Sequence, residues 1–424
     1  MTGHIKLKDL YSDDCDCGEC TPTTIKLAGG YRDILNDFLK HVHSGELKPG
    51  SIQPDYYNNL ATKLAGAVTE GLGGKIFASD DERNTLKAYF DHNIYAFSGA
   101  KSLVMLKEYN RLLLDDKGQV LPYKEFEKRA LKVDALYNKT YLEAEYEMAV
   151  ASSQIGASWP GLMKFKLLEW STTGGENVCP ICGGFDRMII PSNSPILNRL
   201  CPPLHFKCHC KLIPAADTDT PTPDDHINNV EKAADIKPYF KNNPGKNKVI
   251  FTDGHPYFKN LGNNKQRELD AEKNYNMPSG ERIYATINLP SYTEAKNKDE
   301  ANKWWADLAG GQRKSIDIVA RDGITVTMDN RFRNHVLEEN KDNRYRFMPQ
   351  LPDILKNPDE VWSNKIRGSI QTAYIKYYKN CPIVIVTDSR SNVTAITAYE
   401  VQKNGRTNFG ALTNMRKGIL KYKK

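Results

Sequence analysis

The stretch Trp170-x8-Cys179-Pro180-Ile181-Cys182-Gly183-Gly184, continued by Cys201-Pro202-Pro203-Leu204-His205-Phe206-Lys207-Cys208-His209-Cys210, decides how the first half of the chain is read. Two residues between Cys179 and Cys182 let both sulfurs face one ion. A glycine after the second thiol permits a positive-φ turn that aims N–H groups at them. The second half returns after a span suited to a ribbon and offers Cys201, His205, Cys208, His209 and Cys210, more donors than the four zinc takes. Cys179 and Cys182 lead the ligand set, followed by His205 and Cys210, with Cys208 next. The competing reading is a set of buried cysteines without metal. Any metal here is expected to be structural, because no Glu stands where H-E-x-x-H or H-x-E patterns place a hydrolytic base.

Working outward, the nine cysteines fall in two clusters plus Cys381. No secretory h-region follows Met1, so clustered thiols read as metal donors in a reducing cytoplasm before they read as disulfides. Cys15, Cys17 and Cys20 form a second, three-thiol group that His4, His41 or His43 could complete, within an N-terminal arm over 1–30. Residues 31–214 are expected to form a mainly α-helical module ending in the knuckle at 171–214. Its helices are read at Tyr31–Val42, Lys101–Leu114 and Tyr123–Gly156, with a last segment at Leu162–Trp170. Pro160 and Gly161 break the chain before that segment. The knuckle is otherwise loop-like, with one apolar piece at Met188–Ile190.

The Thr-, Asp- and Pro-rich run at 215–229 opens a linker over 215–245, followed by a mixed connector over 246–310 with short strands at Val249–Phe251 and Ile283–Leu289. Residues 311–424 read as a smaller α+β domain. Strands are expected at Ile316–Val319, Ile324–Met328, Pro382–Thr387 and Val393–Val401, and helical stretches at Arg333–Glu339 and Val361–Lys379.

Charge separates the same parts. The 424 residues carry +7, but 311–424 hold 21 Lys and Arg against 11 Asp and Glu, so the preceding residues sum to about −3. A basic domain on a weakly acidic body suits a polyanionic partner, nucleic acid above all. A solvated basic face is the plain alternative. No apolar run reaches 18 residues, so no membrane span is expected.

The helical region ending in Glu169-Trp170-Ser171-Thr172-Thr173, then Cys-Pro-x-Cys-Gly, then Pro203 to Cys210, resembles the phage Mu F-like minor head (head morphogenesis) family over about 85–215. Phe206 and His209 depart from that family's usual His-Pro-x-Cys-Arg-Cys run, which leaves the exact ligands open. The resemblance implies a virion protein at the capsid interior or portal vertex, made in the bacterial host cytoplasm. Its partners would be portal and capsid proteins, and it would act in head assembly or DNA delivery.

Such proteins often carry an unrelated domain behind a linker. The tail here resembles the phage barnase/EndoU/colicin/RelE-like nuclease class. The carrying residues are Arg333-Asn334-His335, Asp353 to Trp362, Tyr374 to Tyr378, the strand Ile383–Val386, and Thr394 to Tyr399.

The chemistry can also be argued from residue types. RNA can be cut by its own 2′-OH if a group takes a proton, another gives one, and cations hold the phosphorane. His335 is the one histidine beyond residue 256 and stands among Arg331, Arg333, Arg344 and Arg346. It is the expected acid or base, and Arg344 or Arg346 the phosphate clamp. Thr397, Tyr374 and Arg406 would form the opposite wall. No paired acidic cluster suggests a two-metal nuclease. The alternative is a purely structural minor capsid protein whose basic tail binds DNA or portal without catalysis. An ADP-ribosyltransferase tail ranks last, for want of an Arg…Ser-x-Ser…Glu-x-Glu order.

Overall fold

The computed structural model describes residues 30–47, 50–172, 178–259, 269–337 and 343–424. The expectations for the Cys15/Cys17/Cys20 arm, for Thr173 and for the end of the predicted helix at 338–339 lie outside them. The described residues divide between two compact units, one within 1–50, 55–74 and 97–263, the other within 51–54, 75–96 and 264–424. The first is mainly helical and the second strand-rich. No helix among the described residues is long and apolar enough to cross a membrane.

In the first unit, helix Tyr31–His43 buries Leu35, Phe38, Leu39 and Val42, the one-face spacing of an amphipathic helix. The long segment expected over Tyr123–Gly156 is broken rather than continuous. Helix Tyr123–Ala135 passes through a π-turn, Leu136–Tyr141, into helix Leu142–Leu162. Beside that turn the Asp134 carboxylate takes donors from Tyr31 (2.6 Å) and Asn138 (2.6 Å), with the Tyr56 and Tyr109 hydroxyls at 3.4 and 3.3 Å. Lys101 is fully buried and reaches Glu145 at 2.5 Å and the Tyr137 carbonyl at 2.8 Å. Buried polar groups survive only when paired in this way.

The segment Leu162–Trp170 is not one helix. Pro160 sits in the last turn of the preceding helix, where it removes one i→i−4 hydrogen bond near the helix end, and the chain then extends as strand β1, Leu167–Ser171. β1 is the centre of a three-stranded antiparallel sheet with β2 (Ile189–Pro191) and β3 (Lys211–Pro214). The knuckle loops therefore hang from a small sheet. Within the expected linker, Asp224–Ala233 is a helix that buries Ile227 and Glu231. Neither connector strand forms. Val249–Phe251 is loop, and Gly280–Thr286 is a helix whose N-cap Ser279 accepts from the Arg282 N–H.

The second unit is built on a seven-stranded sheet. Its strands are β4 (Ile316–Val319), β5 (Thr325–Met328), β6 (Glu360–Ile366), β7 (Ser369–Tyr377), β8 (Pro382–Asp388), β9 (Thr394–Glu400) and β12 (Ile419–Lys423). The spatial order is β12-β6-β7-β8-β9-β5-β4. A separate two-stranded hairpin, β10 (Gln402–Lys403) and β11 (Arg406–Thr407), lies between β9 and β12 in sequence.

The helix expected over Val361–Lys379 is instead the β6–β7 hairpin. Arg367 and Gly368 both take positive φ at its turn, which matches strand twist, and Val, Trp, Ile and Tyr favour the pleat. Val361, Tyr374, Ile385 and Ala398 stand side by side across four strands and belong to the main apolar core. Helices Lys298–Ala309, Asn330–Leu337 and Leu351–Lys356 bring Trp305, Phe332, Val336, Ile354 and Leu355 to that core. On the other face, Trp362 and Tyr275 pack edge to face. There Arg416 forms a buried two-toothed ion pair with Glu360, at 2.8 Å on both arms.

Residues 75–96 are part of this unit, although Asn84 precedes its partner Thr325 by 241 residues. The Asn84 carboxamide donates to the Thr325 carbonyl at 2.8 Å and accepts from its N–H at 2.9 Å. β5 meets β9 at the single pair Thr327↔Thr394, so Asn84 supplies the ladder partners that β9 does not reach. Lys87 pairs with Asp91 and His92 with Ser363, both buried.

Candidate functional site

Two groupings of reactive side chains stand out, one in each unit. In the first unit the two knuckle halves converge. Cys179 caps a one-turn helix with Pro180 in its first position, and its sulfur accepts from the Cys182 N–H at 3.4 Å. A helical turn thus aims the N–H at the sulfur, in place of the positive-φ glycine expected. Gly184 is needed for room, since a Cβ there would lie 2.7 Å from Val230 Cγ1.

His205 Nε2 lies 3.0 Å from Cys179 Sγ and 3.3 Å from Cys182 Sγ, and Cys182 Sγ lies 3.7 Å from Cys208 Sγ. A tetrahedral zinc site puts sulfurs about 3.8 Å apart and nitrogen about 3.6 Å from sulfur. His205 Nδ1 donates to the Phe206 carbonyl at 2.6 Å, which leaves the Nε2 lone pair turned to the thiols. Among the described residues the donor triads are Cys179–Cys182–His205 and Cys182–Cys208–Cys210, which share Cys182.

The donors split charge among themselves. The Cys179 thiol is lowered to about 4, chiefly by its hydrogen bond with Cys182. Burial works against a charged His205, but the Cys179 and Cys208 sulfurs outweigh it and raise the ring to about 11. Cys208 is lowered by Cys182, while Cys210, lowered by Cys182 but pushed up by Cys208 and by burial, is raised on balance. A divalent cation fits such a nest, because it takes the place of the shared protons. Cys201 is buried outside both triads, and His209 is exposed.

In the second unit, helix Asn330–Leu337 starts at Asp329, whose carboxylate accepts from the Phe332 N–H at 2.9 Å. It lays Phe332 and Val336 on the core and sets half-buried His335 against strand β9. β9 carries an extra residue near Ile396 relative to β8, a bulge that leaves Ala395 and Ala398 in the core and turns Thr397 to the ring. His335 Nε2 is 3.1 Å from Thr397 Oγ1 and 3.2 Å from Arg344 Nη1. A guanidinium only donates, so Nε2 is the acceptor and the ring proton is on Nδ1. Arg344 also has its Nε–H buried without a protein acceptor, a donor left unsatisfied in this arrangement of the side chain. An open cleft of about 620 Å³ adjoins the trio, lined by Asp329, Arg331, Asn334, His335, Thr394 and Ile396 among others.

The structure therefore brings His335, Arg344 and Thr397 together. Arg346, two residues on, is instead held by Glu294 through a two-toothed pair at 2.8 and 2.5 Å, which keeps the Glu294 carboxyl below its usual range. Tyr374 faces the core, and its hydroxyl donates to Asp322 at 3.1 Å. Asp322 in turn is paired with buried Lys421 at 2.5 Å. Arg406 lies on the β10–β11 hairpin and does not line the cleft. Sequence reasoning missed Asp329 and Glu294. Asp329 was legible as an Asp one residue before a helix. Glu294 was not, because it meets Arg346 only through a chain fold 52 residues long.

An imidazole whose Nε2 lone pair is held by a guanidinium, with a hydroxyl beside it, carries the groups for proton transfer next to a phosphate once that guanidinium turns to the anion. Residues 303–423 match the family model of the phage-Barnase-EndoU-ColicinE5/D-RelE like nuclease2. This part of the chain is therefore similar to a phage nuclease-like domain, and the match contains the His335 trio. No curated protein and no solved structure matches the chain.

Proposed function

We propose that the chain is a phage virion protein whose second unit cleaves RNA by transesterification, and whose first unit serves at the portal vertex as a minor head module. The observation that carries the catalytic part is the His335–Thr397–Arg344 trio, of which His335 lines the cleft. In this reading His335 Nε2 takes the proton of the ribose 2′-OH. The 2′ oxygen attacks phosphorus, and the bond to the 5′ oxygen breaks. Water in the open cleft protonates the leaving oxygen. Arg344 moves from the ring to the phosphorane oxygens, which releases Nε2 for the incoming proton, and Thr397 fixes the ring's direction. Arg346 and Tyr374 have no part in this step.

The head role rests on the resemblance of 85–215, supported by the convergence of the two Cys halves. We assign the nest to structural zinc held by Cys179, Cys182, His205 and Cys208, with Cys210 outside the four, since Cys208 touches both Cys182 and His205 and so joins the two triads. Bound zinc would cross-link the loops hung from the β1–β3 sheet.

The catalytic test is single-turnover cleavage of an oligoribonucleotide by the full chain. His335→Ala should lower the rate by about 10²- to 10⁴-fold. Equal rates for the variant and the native chain, or cleavage of an all-deoxy strand at the same rate, would refute the assignment.

A further inference from the structure

The pairing of Arg346 with Glu294 has a contrast within the same unit. Arg416 and Glu360 make the same fork-on-fork contact, but with side chains only 1% and 4% exposed. For Arg346 and Glu294 the values are 36% and 35%, so this pair faces solvent. A buried fork is a structural tie, because opening it strands a charge away from water. A half-exposed one opens at little cost, because both ions can be rehydrated.

The backbone around it is already fixed. The Ala295 N–H donates to the Arg346 carbonyl at 2.9 Å, the Gln350 carboxamide donates to the Thr293 carbonyl at 3.0 Å, and the Tyr292 hydroxyl donates to Glu400 at 2.5 Å. The segment 292–295 thus lies against the turn that carries both arginines, and only the two side-chain tips need to part.

We propose that Arg346 is a second phosphate subsite, for the phosphodiester next to the one at Arg344, and that Glu294 occupies it as a built-in carboxylate substitute for phosphate. Carboxylate and phosphate present the same pair of oxygens to a guanidinium fork. Arg344 and Arg346 lie in one 3₁₀ turn, Arg344–Gln350, about 4 Å apart along its axis. A strand following the surface of the turn would meet the two cations in succession, about a third of a turn apart around its axis. Arg344 is committed to the reacting phosphate, because it touches His335. Arg346 is exchanged from Glu294 to its neighbour. The acidic segment then acts as a competitor that discriminates against short or weakly charged ligands. This rests on the reading of the cleft as an RNA site.

The test is binding of a 2′-O-methyl oligoribonucleotide, which lacks the attacking hydroxyl, to the full chain, by anisotropy over a range of salt. Glu294→Gln should tighten binding about tenfold. It should leave the slope of log K against log salt near the native value, whereas Arg346→Gln should flatten it by about 0.7, the loss of one phosphate contact on a single strand. Arg346→Gln should abolish that gain, so that the double variant binds like Arg346→Gln alone. Arg346→Lys should recover less than half of it. Glu281→Gln, an exposed carboxylate elsewhere in the unit, should leave the slope unchanged.

The proposal is overturned if folded Glu294→Gln binds within twofold of the native chain, or if its gain survives Arg346→Gln. Should thermal melting show Glu294→Gln unfolded, Glu294→Asp, which shortens the fork's reach, takes the same test. Failure of the parent reading has a different signature: His335→Ala would cleave normally, whatever the slopes do. Absence of binding by every variant overturns both.

Discussion

Replacing Asn84 by alanine should unfold the strand-rich unit preferentially, although Asn84 lies more than 200 residues before the segment similar to nucleases. Asn84 is fully buried and makes two hydrogen bonds to one residue of β5. The Ala320 N–H donates to the Ile324 carbonyl at 2.8 Å, so Thr325 turns its own N–H and carbonyl away from β4. On that side β9 reaches only as far as the Thr327↔Thr394 pair. Alanine would therefore leave a strand N–H and a strand carbonyl buried without partners. Each orphaned group costs about 1–3 kcal/mol, so the expected loss is about 3 kcal/mol.

Urea unfolding of the full chain, followed by Trp304, Trp305 and Trp362 fluorescence with Trp159 and Trp170 replaced by phenylalanine, reads this unit alone. The midpoint should fall while the first unit's transition, in the reciprocal tryptophan variant, stays put. β5 leads to Asp329, which caps the His335 helix, so RNA cleavage should fall at urea concentrations below the native transition. A shift under about 0.5 kcal/mol would refute the reasoning, since that is the scale of surface substitutions.

Three further outcomes follow from the structure. Arg416→Met should cost about 3–5 kcal/mol in the same assay, because Glu360 would keep its burial and lose its ion partner; a neutral result would mean that Trp362 and Tyr377, its other partners, satisfy it unaided. His255 is buried among Phe97, Phe251, Tyr239 and Tyr257 and is lowered to about 3, by burial first and by the Lys101 charge second. The unfolded chain, with an ordinary histidine near 6.5, takes the proton first. The first unit should therefore hold its full stability above about pH 6.5 and lose it progressively toward pH 3, and His255→Leu should flatten that part of the profile; an unchanged profile would contradict it. In the knuckle, Cys182→Ser should abolish bound zinc, being common to both triads, whereas Cys210→Ser should keep one zinc per chain; loss of zinc in the second variant would move the fourth ligand from Cys208 to Cys210.

Much of the site was readable from residue types. Spacing alone paired Cys179 with Cys182, because a two-residue gap closes one helical turn. A lone histidine among arginines pointed to His335. Thr397 was named from its strand, although a bulge rather than simple alternation turns it to the ring.

What sequence could not separate was Arg344 from Arg346. They are the same residue type two positions apart, and only the folded chain sets one against His335 and the other against Glu294. The Val361–Lys379 error has a local cause. Runs of Tyr, Ile and Lys suit either period, and the Arg367–Gly368 turn decides between them only once both strands are paired. The helical character of the first part, the thiol pairing and the basic charge of the tail follow from pattern and composition, which are local properties of the chain. The use of residues 75–96 to complete the sheet, and the choice of which cation meets the histidine, depend on contacts between segments tens to hundreds of residues apart, and those exist only once the tertiary structure has formed.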